Sequence, residues 1–293
     1  MTAAGRVVVC GSLHYDIVVE TSAWPKTGET SAGSAWFPKL GGKGRNQAVA
    51  AHRAGAQTLM IGRVGNDDFG RQLVADLTRR GIDHSGVTVS STAGSGVSVA
   101  LFEPSGDYRA IIVSGANLEL DPGDVPSPAF WTQVQVLVLQ NEIPDAVNAA
   151  MAAAARAQGV TVILNAAPAR APSAALAAAI DFLVVNAVEA AQLGDSAEPT
   201  TLEEAANSAA ILARDFPQVI VTAGKAGVAT AGLSGACALA AASVTVVSTH
   251  GAGDEFVGCL AAKLAAARAL DEALGAANSA AARLISTPES GRG

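Results

Sequence analysis

Short apolar runs alternate with alanine-rich stretches along most of the chain. The runs are VVVC at 7–10, QTLMIG at 57–62, VQVLVL at 134–139, VTVIL at 160–164, DFLVV at 181–185 and QVIVT at 218–222. Runs this short and continuous predict strands buried on both faces, as in a parallel sheet covered by helices. Residues 46–54, 67–80, 144–158, 187–193 and 201–214 read as the intervening helices, giving a βαβ rhythm. Two segments break it. Residues 15–40 and 97–114 lack helical periodicity and hold YDIVVE and GVSVALFE between turn signals at Trp24-Pro25 and Pro104-Ser105-Gly106. They predict a small β-layer projecting from the main sheet. After residue 251, AGDEFVGCLAAKLAAARAL and DEALGAANSAAARLI predict two closing helices. The apolar run before that point is expected to be a buried strand leading into the first of them.

Composition narrows the function classes. Half of the 293 residues are apolar and 15% are charged, which fits a globular α/β protein. The formal charge of -7 comes with no basic tract, so small-molecule chemistry is expected and a nucleic-acid surface is not. Cys10, Cys237 and Cys259 lie too far apart for a metal or disulfide pattern and are read as reduced core residues. The N-terminal MTAAGRVVVCGSL lacks a signal-peptide h-region, and no run reaches the length of a membrane span. A cytoplasmic protein without a membrane partner is expected. His14, His52, His84 and His250 are too scattered for a metal signature, and Trp24, Trp36 and Trp131 are expected to pack. VVVCGSLHYD lacks the G-x-G-x-x-G of a nicotinamide-dependent dehydrogenase.

The candidate chemistry sits in turns. In STHGAGDEFVG, at 248–258, Asp254 stands three residues after Gly251 at a helix start. Glycines let backbone N–H groups approach an anion, and the unpaired amides of a helix N-terminus favour negative charge. A carboxylate beside such a site is placed to take a proton from a hydroxyl; alternatively, it only complements the helix dipole, worth about 0.3–1 kcal/mol. LGGKGRNQAVAAHRAG, at 40–55, is no Walker A loop, since Gly44 follows Lys43. Its glycines would let a polyol lie against the backbone near Lys43 and Asn46, or it is a glycine-rich loop with a solvated lysine. Further polar residues or glycines follow predicted strands: Asp16; Asn141 and Glu142; Asn165; Asn186 and Glu189; Thr222, Gly224 and Gly227. Each alone could be a cap or turn residue. Recurrence after five strands would gather them around one crevice at the sheet's carboxyl edge.

GGKGRNQAVAAHRAGA followed by GRVGNDDFG, and GAGDEFVG near the other end, resemble the two signatures of the ribokinase-like (PfkB) family of sugar kinases. NEIP at 141–144, NAAPAR at 165–170, NAVE at 186–189 and TAGKAG at 222–227 follow the same order, so the likeness runs from about residue 6 to about 285. The resemblance implies a single ribokinase-like domain over 1–293: a three-layer α/β/α sandwich with a mainly parallel sheet and a small β-sheet lid from 15–40 and 97–114. It implies phosphoryl transfer from ATP and Mg2+ to a sugar hydroxyl, with Asp254 as base and the amides of Gly251, Ala252 and Gly253 as anion hole. His14, Asp16, Gly42, Lys43, Asn46 and Glu142 would hold the sugar. Asn186 and Glu189 would organise magnesium, and Asn186, Thr222, Gly224, Lys225, Gly227 and Asn278 would border the nucleotide. GGKGxNQA is most similar to the ribokinase branch, implying a pentose such as D-ribose. A nucleoside, a hexose derivative, or a noncatalytic binding protein of the same fold are the alternatives. There are three departures. His14 stands where the family has Asn, and Ser248 where it has Asp beside a monovalent cation, which implies weak potassium activation, testable as turnover in potassium against sodium. The tail STPESGRG differs near the nucleotide. A homodimer paired through the lid is also implied.

Overall fold

The computed structural model describes residues 5–103 and 108–287. Along these residues run β1 (Arg6–Cys10), β2 (His14–Thr21), β3 (Gly33–Gly41), α1 (Lys43–Arg53), β4 (Gln57–Gly65), α2 (Asp68–Arg79), β5 (Asp83–Ser90), β6 (Gly96–Phe102) and β7 (Tyr108–Val113). Then come α3 (Pro128–Trp131), β8 (Val136–Gln140), α4 (Asp145–Arg156), β9 (Thr161–Asn165), α5 (Ala174–Ala177), β10 (Phe182–Asn186), α6 (Ala187–Gly194) and α7 (Leu202–Leu212). β11 (Gln218–Thr222), β12 (Val228–Gly232), β13 (Cys237–Leu239), α8 (Ala252–Ala265) and α9 (Leu270–Ile285) complete the series.

The apolar runs form one nine-stranded sheet in the order β13-β12-β11-β10-β9-β8-β1-β4-β5. From β11 to β5 all neighbours pair in parallel, whereas the β11–β12 and β12–β13 pairs are antiparallel, so that in this sheet β12 alone runs against the rest. Strand periodicity sends alternate side chains to opposite faces. Val8, Cys10, Leu137 and Leu139 join the core under α4 to α7, whereas Val7, Val9, Val136 and Val138 join the core under α1, α2, α8 and α9. Burying one such side chain contributes about 1.5–3 kcal/mol, so a strand buried on both faces needs an unbroken apolar run. The expected three-layer sandwich follows. β1 is interior, third from the β5 edge, and the chain winds outward from it to β4 on one side and β8 on the other, which opens a crevice at their carboxyl ends.

The irregular segments build the expected second sheet, ordered β3-β2-β6-β7. It is tied down at its root. Tyr15 stacks on Phe69 of α2 at 4.2 Å between ring centroids. The Asn117 amide accepts the Leu13 N–H and donates to the Leu13 carbonyl, both at 2.9 Å, replacing a strand partner. Gly42, at φ 89°, turns β3 into α1 where a Cβ would lie 2.7 Å from the Ser12 carbonyl oxygen.

Three expectations are corrected. The run before Gly251 is not a buried strand: residues 240–247 take no regular structure, and Val246 and Val247 are each 54% exposed. Its last residues are held instead by the Val247 and Ser248 N–H groups donating to the Ile285 carbonyl. Trp131 packs at 1% exposure, but Trp36 stands out on β3 at 67%. Cys10 and Cys259 are buried, while Cys237 is only half-buried. The Pro104-Ser105-Gly106 turn and the tail beyond Thr287 lie outside the described residues. Among those described, no helix is long and apolar enough to cross a membrane.

Candidate active site

Helix α1 presents Lys43, Asn46 and Gln47 at i, i+3 and i+4, one face of a helix. That face meets Asp254 in the first turn of α8. Asn46 Nδ2 donates to one Asp254 carboxylate oxygen at 3.1 Å, and Gln47 Nε2 donates to the other at 3.0 Å. Gln47 Nε2 also reaches Asn165 Oδ1 at 3.0 Å, and Asn165 Nδ2 donates to the Val184 carbonyl, so the β9 end steadies the carboxylate through Gln47. Burial pushes the Asp254 carboxyl above the usual range, Lys43 and the two amides pull it back, and Glu142 pushes it up. A base that must gain a proton in one step and stay ionised before it benefits from such opposing influences.

Gly251 enters α8 in the left-handed region at φ 79°. The Ala252 N–H turns to the Thr249 carbonyl at 3.2 Å. The N–H groups of Gly253 and Asp254 have no acceptor inside the helix and carry its positive end. A Cβ at Gly253 would meet nothing within 4 Å, so packing within the chain does not require this glycine. It borders a cleft of about 150 Å³ shared with Lys43, Asn186, Glu189, Thr222 and Asp254.

The lid side supplies more carboxylates. Glu142 Oε2 accepts from the Ser12 hydroxyl and from the Lys43 N–H at 2.9 Å, and His14 Nδ1 lies 3.9 Å away. Glu142 therefore straps the start of α1 to the end of β1. Asp16, raised by burial, accepts from the Ser98 hydroxyl across the β2–β6 pair. A Cβ at Gly41 would lie 2.1 Å from Asp16 Oδ2, so any other residue there would displace the Asp16 carboxylate. His14 is buried, and its Nε2 has no partner among the described residues.

On the other side, Asn186 and Glu189 cap α6 reciprocally: each side chain accepts the other's N–H at 2.8 Å. Burial raises the Glu189 carboxyl. Gly224 and Lys225 form the turn after β11, and Gly227, at φ 120°, closes it where a Cβ would strike the Leu239 carbonyl oxygen at 2.1 Å. Asn278, on α9, donates to the Ala240 carbonyl at 2.9 Å and does not line the cleft. Ser248 accepts the His250 N–H at 3.3 Å. A larger groove, of about 660 Å³, follows the Glu255–Cys259–Lys263 stripe of α8 and holds none of the expected site residues. Donors and carboxylates, not volume, mark the site.

Residues 4–292 match the model of the pfkB family of carbohydrate kinases. The chain belongs to that family. It is 36% identical to the ribokinase of Mus musculus over 276 residues, covering 89% of this chain and 82% of the relative. Against the ribokinase of Bacillus subtilis identity is 32% over 278 residues, covering 94% and 91%. Among solved structures, Arabidopsis thaliana ribokinase complexed with ribose and ATP superposes with a TM-score of 0.89 at 29% identity, covering 97% of this chain and 93% of that one.

In this pfkB carbohydrate kinase the polar network around Asp254 also includes Arg45 and Gln47, and Asp16 is held by Ser98; sequence reasoning singled out none of the three. Gln47 had a signal, one helical turn from Lys43. Arg45 and Ser98 had none, because their partners Asp76 and Asp16 lie 31 and 82 residues away.

Proposed function

We propose that this kinase transfers the γ-phosphoryl group of ATP to a hydroxyl of a pentose, D-ribose first, with Asp254 as general base. The observation that carries the reading is Asp254 itself: a buried carboxylate with both oxygens held by amides, next to a glycine turn that lines a cleft. The sugar proton passes to Asp254 as its oxygen attacks the γ-phosphorus, and the bond to the β-phosphate oxygen breaks to release ADP. The Gly251 and Gly253 amides of the 251–253 turn stabilise the charge on the transferring group, the Ala252 N–H joining them only if it leaves the Thr249 carbonyl. Asp16, Glu142, Lys43 and Asn46 hold the other hydroxyls, with Gly42 and His14 shaping the floor. The nucleotide lies towards Thr222, Gly224, Lys225 and Gly227, with Asn278 behind it.

Among the described residues no cluster of three His, Cys, Asp or Glu side chains could cage a metal. That fits Mg2+, which keeps waters and binds through one or two carboxylates plus substrate phosphates. Glu189, buried beside the cleft and oriented by Asn186, is the carboxylate suited to it. Bound there with the nucleotide, the ion would neutralise phosphate charge. We also read the enzyme as a homodimer through its lid.

Incubation with ATP and Mg2+ against pentoses, 2-deoxyribose, hexoses and nucleosides, followed by ADP release, tests the reading. D-ribose is expected to give the highest kcat/KM; thermal shifts without ADP release would mark a binding protein instead. Asp254→Asn is expected to lower kcat by about 10²–10⁴-fold, the usual worth of a general base, while nucleotide binding persists.

A further inference from the structure

Arg45 lies between two helices and is nearly buried, and its guanidinium has two occupants. Its Nε and Nη2 donate to Asp76 Oδ2 of α2, and its Nη1 donates to Asn46 Oδ1 at 3.1 Å. Consecutive residues on a helix ordinarily point apart. Here Asp76, which also accepts from Arg79 and Arg80 at 3.1 and 3.0 Å, draws the Arg45 fork back across the helix surface onto its neighbour. Guanidinium is donor-only and carboxylate is acceptor-only, so an amide held between them has one orientation that satisfies both ends. Asn46 is that amide: Oδ1 towards Arg45, Nδ2 towards Asp254 at 3.1 Å. Turned over, it would set an acceptor against the Asp254 carboxylate and a donor against a cation.

We infer that Arg45, anchored by Asp76, is a positioning residue that locks the Asn46 amide so that it donates to Asp254, tying α2, α1 and α8 into one chain of hydrogen bonds ending at the base. The inference rests on the proposed role of Asp254. Arg45 does not line the cleft, and its side chain bonds Asp76 and Asn46 but not Asp254, so its influence runs through Asn46.

Steady-state kinetics with D-ribose and ATP-Mg2+ on the full chain and on Arg45→Met, Asn46→Ala, the double variant, Arg45→Lys and Asp254→Asn test it. Arg45→Met is expected to lower kcat roughly tenfold, the scale at which one positioned hydrogen bond registers, with KM for ATP unchanged. In the Asn46→Ala background it should add nothing, because the group it orients is gone. A general disturbance of the fold would add in both backgrounds, so an additive loss overturns the inference, as does an unchanged kcat. Arg45→Lys keeps a cation beside Asp76 and therefore the fold, but a single ammonium does not reproduce the fork. It should melt near the parent and still lose turnover; full activity in this variant overturns the inference even if Arg45→Met fails to fold. Near-normal turnover in Asp254→Asn would sink the base assignment itself, whereas an inactive Asp254→Asn with an additive Arg45→Met would sink only the role of Arg45.

Discussion

Asp254 is 8% exposed and stands between a lysine that favours its ionised form and a glutamate that opposes it. Burial is the largest influence and raises its pKa. A base must be deprotonated to act, so turnover is lost as pH falls through the raised value, and the acid limb of kcat/KM is expected above the roughly 3.9 of a free aspartate. A pH–rate profile reads this directly; a limb at or below the free value would contradict it. Gly253 offers a cleaner separation of packing from function. Its backbone is helical, and a Cβ there enters open space, so Gly253→Ala should fold at least as stably, gaining up to about 1 kcal/mol of helix propensity. Yet in the proposed mechanism that Cβ would stand where a phosphoryl oxygen approaches the amides. Loss of at least tenfold in kcat with an unchanged or raised Tm is the expected result. Gly42→Ala should do the reverse in stability, because its left-handed φ and the Ser12 carbonyl admit no Cβ without movement.

Elements were legible in the sequence where burial alone dictates them. VVVC, VTVIL and DFLVV lie in the middle of the sheet, need apolar residues on both faces, and match β1, β9 and β10 to within a residue or two. The strand β5 was not legible, since DHSGVTVS lies at a sheet edge and is mostly exposed or half-buried. β12, VATAG, is interior but built of small residues. SVTVVS misled in the opposite direction: β-branched residues favour strands only where neighbours pack on them, and this segment has none beside it in either sheet. The polar residues after strand ends were legible because a parallel sheet collects them at one edge. Their connections were not. Asn186 is the exception, since a cap was one reading of its place and its side chain does accept the Glu189 N–H. That cap belongs to the element. Asn186→Ala is expected to cost about 1 kcal/mol of stability in denaturant titration, within the range for N-cap removal, and to leave Glu189 less well oriented, so that KM for ATP-Mg2+ rises. Unchanged stability would mean that the capping box does not hold α6.

At the scale of the whole molecule, the lid has two unlike faces. Pairing register places Asp16 opposite Lys39 and Ser98, and Ser98 opposite Ile112, so these share one face, the one that carries the proposed sugar contacts. One residue along, Ile17 pairs with Pro38 and Val99, and Val99 with Ile111, which puts an apolar row on the other face. Trp36, Ile111 and Val113, all of that face, are 67%, 73% and 61% exposed. A contiguous apolar surface of this kind is uncommon on a monomer and is usually covered by a partner. A second copy suits it, because a two-fold axis lets one apolar row cover its own equivalent. The chain should therefore sediment as a dimer of the 29.1 kDa protomer. Ile111→Glu, which puts a charge in the row without touching the Asp16 face, should release monomers. Since lid and sheet are joined at the root, around Leu13, Tyr15, Gly42 and Ser95, freeing the lid should raise KM for the sugar more than it lowers kcat. A wild-type chain that sediments as a monomer at micromolar concentration would remove the dimer and, with it, the reason for that apolar row.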